Sequence, residues 1–215
     1  MNKLLRFSLL FCVLFSLTGC KTLNSVRVHG PPVYKDGVPQ DLHYEKLALR
    51  TQEMAEVGEI PSDPKEAYLL AEQEILDLGV QIVPKAPSGF EQWDQFTTAF
   101  PTAILVAPGW DERTYASRAP TLWHELVHFR QYEKHGELLM GLMYLTAEGR
   151  WAMEVQAYRE TFNVLRIFGT PEDQIRKSMR SRAVRLYEAY QLGAMPREYA
   201  IERAIEIWML DSPTP

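Results

Sequence analysis

Cysteine is nearly absent from this chain: only Cys12 and Cys20 occur in 215 residues, both within the first twenty positions. The remainder can therefore contain neither a disulfide framework nor a cysteine-based zinc ribbon. Histidine is scarce too, at five residues, so a metal bound in the body of the chain must be held by a few imidazoles and by carboxylates. Basic charge is in deficit, with 23 Lys and Arg against 28 Asp and Glu and a formal net charge of -5, which argues against a nucleic-acid partner. No internal repeat is visible. What is present is a composition able to bury a core, 46% hydrophobic and 24% charged, which excludes disorder and collagen.

Residues 1–20 open with Lys3 and Arg6, continue as an apolar run from Phe7 to Leu17 broken only by Ser8 and Ser16, and end in small residues. This is the layout of a secretory signal, too short to serve as a stop-transfer span. Leu17-Thr18-Gly19-Cys20 resembles the lipobox of bacterial lipoproteins. The resemblance implies a signal peptide over 1–19, lipid attachment at Cys20, and a protein held at the cell envelope through N-terminal acyl chains, two or more of which suffice for stable anchoring. Lys21, in place of an Asp after the lipidated residue, implies the periplasmic face of an outer membrane. Residues 20–45, with Gly30-Pro31-Pro32, Asp36-Gly37 and Pro39, read as a lipidated tether. Residues 46–215 are expected to form a single domain with C-terminal helices.

Within that region Ser62 or Asp63 can cap a helix over Asp63 to Leu78, with Pro64 early, Gly79 after it, and Ala67, Leu70, Ala71, Ile75 and Leu78 at helical spacing. Val80 to Val83 and Thr102 to Ala107 are β-branched runs bounded by proline or glycine, and so are strand candidates. The Pro84 to Pro101 stretch between them reads as a surface loop or lid. From Pro120 onward the pattern is helical: one helix from Pro120 to a left-handed cap at Gly136, a second from Glu137 to Phe168 interrupted near Gly149, a third opened by Thr170-Pro171-Glu172-Asp173 and running to Leu192, and a last one from Pro196 with Ile201, Ile205 and Trp208 on one stripe. The fold class this predicts is α+β, mostly helical.

His124-Glu125-Leu126-Val127-His128 is an H-E-x-x-H motif. On a helix, imidazoles at i and i+4 share one face and can reach one cation, while Glu125 beside them can act on an attacking water. A catalytic zinc needs a third protein ligand. The tandem extension of the metzincins fails, because Gln131 stands at its glycine position and Lys134 at its final histidine; His135 comes one residue late. Glu133, Glu137, Glu148, Glu154 and Glu160 compete for the role. His128 lies about 12 Å of helix from the turn at Gly136, so a returning helix needs about eight residues to regain its level, which removes Glu133 and Glu137. Trp151, Val155, Tyr158, Phe162 and Leu165 define an inward stripe that includes Glu154, a buried carboxylate that a cation would compensate. Glu154 is the expected third ligand, Glu148 is the second choice, and Glu160 is expected to be solvated.

With Glu154-Val155-Gln156-Ala157 downstream, the motif resembles the H-E-x-x-H…E-x-x-A pattern of the gluzincins in compact form; the fuller string His124 to Tyr132, with Trp151 and Glu154 through Tyr158 after it, also resembles small bacterial zinc peptidases with an H-E-L-x-H-x-x-Q signature. The likeness covers roughly residues 102 to 165. It implies a zincin-like minimal metallopeptidase fold, with an active-site helix packed on a returning helix beside a small sheet. It also implies Zn2+ on His124, His128 and Glu154, and Glu125 as general base hydrolysing peptide bonds of envelope proteins or peptides. Tyr158, Tyr144 and His135 are candidates to stabilise the oxyanion, Gln131 is placed to orient a ligand, and Thr102 to Ala107 is either a substrate-aligning edge strand or a plain core strand. The Arg176, Lys177, Arg180, Arg182 and Arg185 cluster reads as a solvated helix face, with anionic lipid as its other reading. A non-catalytic zinc-binding lipoprotein of the same fold, acting in envelope binding or assembly, remains the second functional class; the presence of Glu125 favours the enzyme.

Overall fold

The computed structural model describes residues 34–35, 38–39, 59–85, 98–100, 102–145, 147–190 and 196–209. The expected signal peptide, Cys20 and most of the expected tether lie outside the described residues. Inside the tether stretch, β1 (Tyr34–Lys35) and β2 (Val38–Pro39) pair antiparallel, with Lys35 opposite Val38. A short antiparallel strand pair therefore stands within the stretch expected to be a tether.

Helix α1 (Pro64–Asp77) begins at Asp63, whose carboxylate accepts the backbone N–H groups of Lys65 at 3.0 Å and Glu66 at 2.9 Å; Pro64 occupies a position that needs no amide donor. Its buried residues are Ala67, Tyr68, Ala71 and Ile75. Leu70, expected on this stripe, is exposed because it falls about 60° outside the arc these residues cover at 100° per residue. Strands β3 (Gln81–Pro84), β4 (Thr98–Phe100) and β5 (Ala103–Val106) then form a mixed sheet in the order β3-β5-β4. β5 runs parallel to β3 and antiparallel to β4, so Ile104 faces Ile82 on one side and Ala99 on the other. Of the two readings of Thr102 to Ala107, the core strand is the one the structure supports: it is central among the described strands, not an edge open to a peptide. One expectation is corrected, since the end of the Pro84 to Pro101 stretch is a strand rather than loop. The cause is burial: Ile104 is fully buried and Val106 nearly so, in a core shared with α1.

Helix α2 (Tyr115–Leu145) starts five residues before Pro120. The carbonyl of Thr114 accepts the amides of Ser117 and Arg118, and Pro120 forfeits only the bond to Ala116, which is exposed to water. Gly136 ends the first arm, as expected, at φ 72° and ψ 164°, a conformation essentially confined to glycine though not the left-handed helical one, and a second helical arm runs on to Leu145. Helix α3 (Ala147–Ile167) follows, with Gly149 buried inside it rather than interrupting it. Helices α4 (Glu172–Tyr190) and α5 (Arg197–Met209) follow.

Two cores flank this helical middle. One joins α1, the sheet and the first half of α2, where the Trp123 indole donates to the Ala67 carbonyl at 3.1 Å. The other joins α3, α4 and α5, where the Trp208 indole donates to the Val155 carbonyl at 2.7 Å. The described residues thus form a mostly helical α+β structure with α3 lodged between α2 and the C-terminal helices. No helix among them is long and apolar enough to cross a membrane.

Candidate metal centre

Apolar burial fixes the motif helix. Leu122, Trp123, Leu126 and Val127 are at most 1% exposed, which anchors this turn of α2 and leaves His124, Glu125 and His128 on the face opposed by α3. Across from them stands Glu154. His124 Nε2 lies 3.4 Å from Glu154 Oε2, and His128 Nε2 lies 3.5 Å from Glu154 Oε1. One donor atom from each of these residues falls within 4.8 Å of the others, and no fourth His, Cys, Asp or Glu joins the group among the described residues. These separations exceed a charge-assisted hydrogen bond of about 2.8 Å. They match the roughly 3.3 Å edge of a zinc tetrahedron with bonds near 2.05 Å.

The outer nitrogens show that the donor set is prepared. His124 Nδ1 is 3.2 Å from Thr161 Oγ1, and that hydroxyl donates to the Ala157 carbonyl at 3.3 Å, so it receives the His124 Nδ1 proton. His128 Nδ1 is 3.0 Å from Gln131 Oε1. The Gln131 amide donates to the Met153 carbonyl at 3.2 Å and to Gln156 Oε1 at 2.6 Å, which fixes its oxygen toward His128. Nδ1 of both imidazoles thus donates outward, and both Nε2 atoms face the Glu154 carboxylate, where added protons or a cation must sit between them; the donor chemistry fits zinc.

Electrostatics agree with that tension. Burial pushes the Glu154 carboxyl up, yet hydrogen bonds and charge from His124 and His128 outweigh it and hold it well below the usual carboxylate range. Burial works against a charged His128, but Glu154, Glu125 and Gln131 together raise it to about 9 when only protons are shared. Burial raises the Glu125 carboxyl, the two histidines oppose this, and Glu154 adds to it. Glu125 is 6% exposed and makes no hydrogen bond or ion pair with another described residue. A carboxylate kept only for structure would be expected to have partners.

The other expected residues sort themselves by contact. Glu133 pairs with Arg130 at 2.9 Å and is half exposed, away from the donor set. The side chains of Glu137 and Glu148 lie outside the described residues. Glu160 is half-buried and accepts from Asn163 at 3.1 Å, rather than being solvated. Glu154 also needs a correction: it does not share the Trp151, Val155 and Phe162 stripe, which packs on α4 and α5, but lies on the adjoining face with Ala157 and Thr161. The face toward α2 mixes these polar groups with Met153 and Val164, so it does not read as an apolar stripe.

Tyr158 places its ring edge-on to His124, with centres 4.5 Å apart. Burial and the Glu154 charge raise its hydroxyl to about 12 against the opposing pull of Arg182, so it stays protonated. Tyr144 stacks with Tyr132 at 6.4 Å, and burial with the neighbouring Tyr132, Glu154 and Glu125 pushes its hydroxyl far up as well. His135 is half-buried just before the bend and does not join the donor group. Thr161 and Gln156 went unremarked in the sequence; the spacing of Thr161, seven residues after Glu154 on the same helix face, is the signal that marks it. No family model, curated protein or solved structure matches this chain.

Proposed function

We propose that this chain is a lipid-anchored zinc peptidase of compact gluzincin type, with a zincin-like arrangement of α2 on α3, acting on proteins or peptides of the cell envelope. The observation that supports it most is the pairing of three convergent donors with an uncommitted buried Glu125 beside them. Three protein ligands are the pattern of a catalytic site; structural zinc sites close with four.

His124, His128 and Glu154 would hold the ion, and Thr161 and Gln131 would keep the two imidazoles in the ligating tautomer. Bound there, zinc supplies Lewis acidity toward a scissile carbonyl and toward water. Glu125 takes the proton of the attacking water and passes it to the leaving amine; its raised proton affinity suits both halves of that transfer. Tyr158 and Tyr144, both held neutral, are hydroxyl donors for the developing oxyanion. The lipobox-like segment ending at Cys20 supports the envelope setting.

The test compares metal content and peptide cleavage in wild type, Glu125→Gln and Glu154→Ala. Wild type is expected to bind one zinc per chain and cleave a mixed peptide library. Glu125→Gln should keep the zinc and lose about 10²- to 10⁴-fold in rate, the usual worth of a general base. Glu154→Ala should lose both. Zinc bound equally by wild type and Glu125→Gln, with no cleavage by either, would favour the non-catalytic binding or assembly lipoprotein instead.

A further inference from the structure

Arg182 differs from the other basic residues of its helix. Arg176, Lys177, Arg180 and Arg185 are exposed on α4, as expected of a solvated face, but Arg182 is half-buried. Its guanidinium carbon stands 5.7 Å from the centre of the Tyr158 ring. That ring lies 4.5 Å from His124, so the guanidinium is no more than about 10 Å from the His124 imidazole with the two distances laid end to end. Four other arginines withdrawn from water meet carboxylates: Arg118 with Asp111, Arg130 with Glu74, Arg166 with Glu172, Arg203 with Glu206. Among the described residues no carboxylate stands within ion-pair distance of Arg182.

In a chain with more acids than bases, a guanidinium partly withdrawn from water and left without a counter-charge beside a candidate active centre calls for an anion from outside. Its approach to the Tyr158 hydroxyl engages only part of the guanidinium's five N–H donors, and the fork that remains matches a carboxylate through parallel hydrogen bonds. We propose that Arg182 is a specificity-determining residue that receives a carboxylate of the peptide substrate. An extended residue spans about 3.3–3.6 Å, so the carboxylate belongs within about three residues of the bond that is cut, either on an acidic side chain or at a free C-terminus. This assignment rests on the peptidase reading of the neighbouring centre.

Binding of short hydroxamates to the zinc-loaded protein tests it without needing turnover. Two matched pairs separate the two sources of carboxylate. Acetyl-glutamyl hydroxamate against acetyl-glutaminyl hydroxamate probes the side chain; a succinyl hydroxamate coupled to alanine, as free acid against amide, probes the terminus. In wild type the acid of at least one pair should bind about tenfold tighter than its neutral partner. Arg182→Gln should erase that preference by weakening the acid alone, and Arg182→Lys, which keeps the charge, should retain part of it. Equal binding of acid and neutral members by wild type, or a preference that survives in Arg182→Gln, overturns the assignment and leaves the metal reading standing. Should no hydroxamate bind at all, the metal reading itself fails and this assignment falls with it. Matched zinc content and melting temperature in Arg182→Lys separate loss of recognition from loss of fold.

Discussion

The two buried faces of α3 have opposite characters. Toward α4 and α5 it presents Trp151, Val155 and Phe162, apolar residues at most 2% exposed that join Ile175, Met179 and Trp208 in one core. Toward α2 it sets Glu154, Gln156 and Thr161 between the buried Met153 and Val164, and these polar groups meet His124, Gln131 and His128. A helix optimised for stability alone would not carry the second face, since buried ionic sets are frequently matched or bettered by apolar residues of similar volume. The contrast teaches that one face is there to hold the fold and the other to hold a donor geometry. Mutations on the two should therefore move different observables.

Phe162→Ala is the strongest way to break the apolar face. It removes a fully buried ring and should cost about 3–5 kcal/mol of unfolding free energy in a denaturant titration, while the folded fraction keeps its zinc affinity. If zinc affinity fell in parallel with stability, the division of labour between the faces would be wrong. Gln131→Ala acts on the other side. It removes the acceptor that fixes His128 and should lower zinc affinity by about 10- to 100-fold in a chelator competition, a larger proportional loss than any surface change would produce. Thr161→Val sharpens the comparison further. It keeps the shape and deletes the acceptor for His124 Nδ1; because Thr161 is only half-buried, water can replace the hydroxyl, and the loss of affinity should stay near the tenfold end of that range.

Features that were legible in the sequence depend on near neighbours. The Asp63 cap, the Gly79 stop and the i, i+4 histidines each need only a few adjacent residues to be read, and the structure shows each of them as a local unit. Glu154 could be singled out because a helix returning from the Gly136 region must regain the level of His128, a matter of length rather than contact. What was not legible depends on partners outside the segment being read. Pro120 reads as a helix start until Thr114 is seen to receive the amides that precede it. The central place of β5 requires knowing that Thr98–Phe100 comes back beside it. The Gln131 amide gains its meaning only from Met153 and Gln156, more than twenty residues away. Arg182 is one of five similar basic side chains until Tyr158 is placed under it.

The elbow at Gly136 sets the size of the whole assembly. Drawn as a straight rod, the 31 residues of α2 would reach about 46 Å at 1.5 Å per residue, enough to overshoot a compact body of this chain length. Folding back at one residue instead seats Met140 and Met143 against Met153 and stacks Tyr144 on Tyr132. Open space surrounds the position where a Cβ would go, so nothing steric bars a larger residue there except the backbone angle itself. A single hydrogen in place of a methyl group thus determines whether the second arm of α2 packs back on Tyr132 and Met153 or swings clear of them.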